Sequence, residues 1–201
     1  EHLGRRAAPT MHDVVRQVIK PETAYRRCSY AELLPPRSPD AFVSHNWKTE
    51  FRFFLNTVVK HAKEIFADKY LDAAYWVCSF AVNQHDTVIG DLHDSPFVEA
   101  LSCKSCKRLL FVMDLKELPL GRLWCLYELW WAGQNQMPVD FCTPDAIINK
   151  QPSLSREGEK TIVALQNADP STADATERRD RESIRSRVDF QKIKVHVRRL
   201  V

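Results

Sequence analysis

The chain is expected to fold as an α/β domain, with a central, mainly parallel sheet covered by helices on both faces. Three features carry this reading. Short apolar runs at residues 41–44, 73–80 and 108–113 have the continuous hydrophobicity of strands buried on both sides. Segments with apolar residues at helical spacing follow the first of these runs and separate the later ones. The resulting strand-helix alternation favours parallel pairing, since parallel neighbours need a crossover connection.

In chain order, residues 11–20 form a short helical candidate, with Val14, Val15 and Val18 on one side. Pro35, Pro36 and Pro39 then mark a boundary, because each fixes its own backbone and restricts the residue before it. Residues 1–39 are accordingly read as an N-terminal extension, and the domain proper as 40–201, with its core at 40–142 and a less regular part at 143–201. The run 41–44 is the first strand, and Ser44-His-Asn-Trp47 is the polar, aromatic turn that ends it. From Phe51 to Phe66 apolar residues recur every three or four positions, as on one face of a helix.

The run 73–80 is the second strand candidate, and a polar loop follows it over 83–94. Ser95 and Pro96 make a good helix start, one as cap and the other at the first helical position. A third strand is expected at 108–113, then a helix carrying Trp124 and Glu128 with Gly133 as its C-cap, then a fourth strand at 138–142. Residues 160–168 fit either a helix or a strand. Residues 173–187 read as an exposed helix. Ile193, Val195 and Val197 alternate with polar residues like a half-buried strand.

Composition limits the function classes. The 201 residues are 44 % hydrophobic and 27 % charged, ordinary values for a globular domain. A formal charge of +3 is too small to imply nucleic acid, and the Arg-rich C-terminal region intersperses acids with bases like a solvated helix face. No apolar run reaches the length of a membrane span, and the first residues lack a signal peptide's apolar core. The six Cys mostly sit in apolar segments, as reduced thiols of a cytoplasmic protein do. Cys103 and Cys106 have half of a metal-site spacing, but no second pair matches it, so no metal is expected. With five Gly and no G-x-G, a Rossmann-type dinucleotide site is disfavoured. The start without Met suggests a fragment of a larger protein.

Residues 122–131 concentrate three Trp, a Tyr and one carboxylate. On a helix Trp124 and Glu128 share a face, one turn apart. Few positions around them are polar, so Glu128 is expected in an apolar setting, where a carboxylate needs a partner or a task. Pairing with Arg122 or capping a neighbouring element, with the aromatics filling the core, is the structural alternative.

Together with the strand order, these residues resemble Toll/interleukin-1 receptor (TIR) domains. Asp40-Ala-Phe-Val-Ser44 is similar to the family's first strand, and Trp124-Cys-Leu-Tyr-Glu-Leu129 to its Trp-Cys-x-x-Glu-Leu segment. The Ser-His-Asn-Trp turn and the long loop after residue 83 depart from the usual pattern and look more like divergent protist and microbial TIR-like domains. The resemblance implies a flavodoxin-like TIR fold and, for catalytic members, an NAD⁺ glycohydrolase that releases nicotinamide and gives ADP-ribose or a cyclic isomer. NAD⁺ is then a substrate, and no cofactor is implied.

Carried over, the catalytic role falls on Glu128, with Trp124 shaping the site. Ser44, His45 and Trp47 are expected at the cleft edge, against ribose, phosphates or a ring. Phe80, Asn83 and Asp86 would begin the family's loop for substrate access and TIR-TIR contact. Homotypic assembly in cytoplasmic, innate-immune signalling comes with the resemblance. Two alternatives stay open: a non-catalytic TIR module that signals by assembly, and a nucleoside deoxyribosyltransferase-like enzyme.

Overall fold

The computed structural model describes residues 8–86, 92–116 and 118–201. Four parallel strands form one sheet in the order β2-β1-β3-β4. They are β1 (Ala41–Ser44), β2 (Tyr75–Val77), β3 (Leu109–Val112) and β4 (Val139–Cys142). The registers Phe42 with Trp76, Phe42 with Leu109, and Phe111 with Phe141 align the apolar runs side by side. Helices cover both faces, which is the α/β architecture expected and is consistent with a flavodoxin-like fold.

Alternation along β1 decides what each face meets. Val43 joins Val77, Leu110, Val112 and Phe54 on one side, where α2 (Phe51–Phe66) packs. Met11 belongs to that same cluster. It comes from α1, which spans residues 11–23 with a π-helical stretch at Val15–Ile19. Pro9 also accepts a hydrogen bond from the Phe51 amide at 2.8 Å. Residues 9–23 are thereby packed onto the same core as the sheet.

The other face carries Phe42, Leu109, Phe111 and Phe141. Against it lie α4 (Pro96–Ser102), α5 (Leu123–Gln134), α6 (Arg156–Asn167), α7 (Arg178–Arg187) and α8 (Phe190–Leu200), while α3 (Cys78–Ala81) is a single turn after β2. The Ser95 cap is in place, its hydroxyl accepting from the Val98 amide. The segment at 160–168, open in the sequence, lies mostly within α6.

Three local expectations are corrected. Residues 192–201 are helical, because Ile193 and Val197 are buried one turn apart while Val195 is 48 % exposed, and Asp189 caps the Gln191 and Lys192 amides. β2 is a three-residue edge strand rather than a long run covered on both faces, since Cys78 turns into α3. α5 runs through Gly133 to Gln134 and is capped by Asn135, whose side-chain amide donates to the Trp131 carbonyl at 2.9 Å, and Gln136 takes the positive φ of 54°.

All six cysteines are free, and four of them are buried. Thiol titration of the unfolded, unreduced protein is expected to count six reactive groups, and a lower count would contradict the reduced state. Among the described residues no helix is long and apolar enough to cross a membrane, and no group of three or more His, Cys, Asp or Glu side chains could hold a metal.

Candidate functional site

β1 ends at Ser44, and the chain leaves it for β2 on one side and later for β3 on the other. Winding therefore reverses at this strand, and ligands of such sheets bind beyond the carboxyl ends near that point. A cavity of about 320 Å³ opens there. Val43, His45 and Trp47 form its floor, Cys78, Asn83 and Asp86 one wall, and Arg122, Trp124, Cys125 and Glu128 from α5 another.

Glu128 is the buried carboxyl of this cavity. It is 4 % exposed, and one carboxylate oxygen has no hydrogen-bond partner among the described residues. Burial pushes its carboxyl up to about 8, although the Ser44 hydroxyl and the Arg122 guanidinium nearby favour the ionised form. No ion pair within 4.0 Å joins it to Arg122, so the Glu128–Arg122 pair of the structural alternative is not formed. The Ser44 hydroxyl is itself buried without a partner at ordinary hydrogen-bond distance. Ser44 points to the face that α5 covers, which is why it meets the helix that carries Glu128.

His45 is 6 % exposed, and among the described residues neither ring nitrogen has a partner at ordinary hydrogen-bond distance. Burial lowers its pKa to about 4, against a favourable contact with the Val43 backbone, so the ring is neutral at ordinary pH. It packs against Phe54, with ring centroids 4.7 Å apart. The Trp47 indole donates to the Cys78 thiol at 3.3 Å, and His12 from α1 lies edge-on to it.

Trp124 is held from two sides. Its indole donates to Asp180 at 2.9 Å, and its ring stacks on Phe97 at 4.5 Å. The Asp180 contact fastens the C-terminal segment over the cavity, where Thr176 and Glu177 also line the wall. The same segment is tied to the start of α5, the Leu123 amide donating to Asp174 and the Asp174 amide to Gly121.

The structure thus gathers His45, Trp47, Asn83, Asp86, Trp124 and Glu128 around one cavity, with Ser44 directly behind it. Phe80 does not line it; the ring turns away and packs edge-on to Tyr30. Asn83 and Asp86 hydrogen-bond to each other and to Arg27. Of the loop expected at 83–94, residues 87–91 lie outside the described residues. Sequence reasoning missed His12, Cys78, Phe97 and Asp180. None stands in a motif or at a telling spacing, so only the tertiary fold could place them.

Chemically, the site is a parallel α/β cavity with a single deeply buried carboxylate, aromatic walls and a neutral, unpartnered imidazole. No family model, curated protein or solved structure matches this chain.

Proposed function

We propose that the chain is a TIR-like enzyme that cleaves the nicotinamide-ribose bond of NAD⁺, with Glu128 as its catalytic residue. The observation that carries this reading is the buried Glu128 carboxyl in the lining of a cavity of about 320 Å³ at the carboxyl end of β1, with one oxygen unpartnered among the described residues. Nicotinamide leaves as a neutral molecule from a cationic ring, so the leaving group needs no general acid. The positive charge that grows on the ribose does need help, and a preplaced carboxylate in a water-poor site supplies it. Trp124 and Trp47 offer ring faces, and His45 lines the same cavity with Ser44 behind it. Incubating the pure protein with NAD⁺ and quantifying free nicotinamide tests the reading.

The pH dependence follows from the raised carboxyl. Only ionised Glu128 stabilises a cation, so kcat/KM should rise about tenfold per pH unit up to about 8 and level off above it. A profile already flat at pH 6 would remove Glu128 from that role.

A second reading, a non-catalytic TIR module that acts by homotypic assembly, has one specific support. Trp124 is already engaged by Asp180 and Phe97, as a packing residue would be. Under the catalytic reading a neighbouring copy completes the cleft, so specific activity should climb with protein concentration. Constant specific activity from a proven monomer would refute that coupling.

A further inference from the structure

A cavity of about 360 Å³ lies between α5 and α8. Lys192, His196 and Arg199 reach it from α8, and Trp130, Gly133 and Gln134 from α5. Among the described residues no carboxylate lines it. The three other large cavities each carry at least three, among them Glu50, Asp114 and Asp145 in one and Asp86, Glu128 and Asp180 in another. The nearest acid on α8, Asp189, is occupied by capping the Gln191 and Lys192 amides at 3.1 Å. It meets the Lys192 ammonium only at 3.7 Å, and among the described residues Arg199 has no ion pair.

Nε2 of His196 is buried without a hydrogen-bond partner. Its ring occupies the space beside residue 133, where a Cβ would lie 3.3 Å from it, so glycine lets the imidazole sit against α5. Trp130 supplies a half-buried indole at the same wall. An Arg199 without an ion pair among the described residues, a Lys192 held only at 3.7 Å by Asp189, an unsatisfied imidazole nitrogen and an aromatic ring together suit an anionic group attached to a planar ring. Arg and Lys hold phosphate by charge-assisted hydrogen bonds, and an indole takes a base by stacking. The volume is at the small end for ligand pockets, typically about 300–1,000 Å³.

We infer that this cavity binds a phosphate-bearing small molecule of mononucleotide size, with the phosphate on Lys192 and Arg199 and the ring against Trp130. The inference does not rest on the Glu128 reading and concerns a different cavity. Isothermal titration of the intact protein at low salt with AMP, inorganic phosphate and adenosine tests it. AMP should bind, phosphate more weakly, and adenosine at least about tenfold more weakly than AMP.

The Lys192→Ala, Arg199→Ala double variant removes two exposed side chains and should melt with the wild type, yet lose at least about tenfold in AMP affinity. Glu128→Gln should bind AMP as the wild type does. The inference is overturned by absence of AMP binding at millimolar ligand, by adenosine binding as tightly as AMP, or by unchanged affinity in the double variant. Loss of AMP binding in Glu128→Gln with retention in the double variant would move the ligand to the other cavity and overturn it equally.

Discussion

Glu128→Gln is expected to reduce nicotinamide release by about 10²- to 10³-fold while leaving the fold intact. Losing one preorganised electrostatic contact to a developing charge typically costs that much in turnover. The amide keeps the carboxylate's size beside the Ser44 hydroxyl. Stability at pH 7 should be little changed, because no ion pair to Arg122 is broken and the wild-type carboxyl, raised to about 8, is itself mostly neutral there.

The sign can be followed with pH. Glu128's folded pKa is raised from 4.5 to about 8, so the stability its neutral form contributes is fully present below pH 4.5 and is lost as pH rises through 8. The Gln variant carries no such loss and should melt above the wild type at pH 9. A Gln variant that folds well and cleaves NAD⁺ undiminished would take the catalytic role away from Glu128. One that melts several degrees lower at pH 7, with cleavage falling only in proportion to folded protein, would favour the packing role.

Much of this fold was legible because local pattern and tertiary demand agree. The strands at 41–44 and 109–112 are buried on both faces, and continuous hydrophobicity is the sequence trace of that. Glu128 was legible for a related reason: a carboxylate among Leu126, Leu129 and Trp130 has few solvent-facing directions on a helix. Where the reading failed, two periods coincided or an edge intervened. Ile193 and Val197 satisfy a helix, and Val195 between them completes the alternation of a strand, so only the Asp189 cap and packing against α5 decide the case. At β2 the apolar run outlasts the strand because Tyr75 and Trp76, on the edge, are covered only in part. The cavity's outer wall was illegible. Asp180 sits in a charged helix indistinguishable from any solvated one, and its hydrogen bond to Trp124 joins residues 56 positions apart.

The largest expected effect on stability lies away from the cavity, at Asp140 on β4. Its side chain is 1 % exposed and meets His61 at 3.0 Å, Arg108 at 2.5 Å and Lys150 at 2.6 Å. His61, fully buried on α2, passes the network on to the Tyr75 hydroxyl of β2 at 2.7 Å. One carboxylate thereby fastens β4, α2 and the β2 edge together. Burial alone would raise the Asp140 carboxyl, but hydrogen bonds from His61, Lys150 and Arg108 more than offset it and hold the group well below the usual carboxylate range.

Asp140→Asn removes the charge and leaves two cations without their counter-ion. Breaking a buried pair from one side typically costs about 3–5 kcal/mol, and the partial exposure of Arg108 and Lys150 argues for about 3. In a chain of this size that corresponds to a melting temperature lower by about 6–12 °C. Because the folded pKa is depressed, the stabilisation is present above the ordinary value of 3.8 and is lost as pH falls through the lower folded value. The gap between wild type and variant should therefore be full at pH 7 and shrink only in strong acid. Melting curves at pH 7 and pH 3, with nicotinamide release per folded molecule measured beside them, decide the matter. A variant within about 2 °C of the wild type at pH 7 would show that the network contributes no net stability, as some buried ion pairs do not.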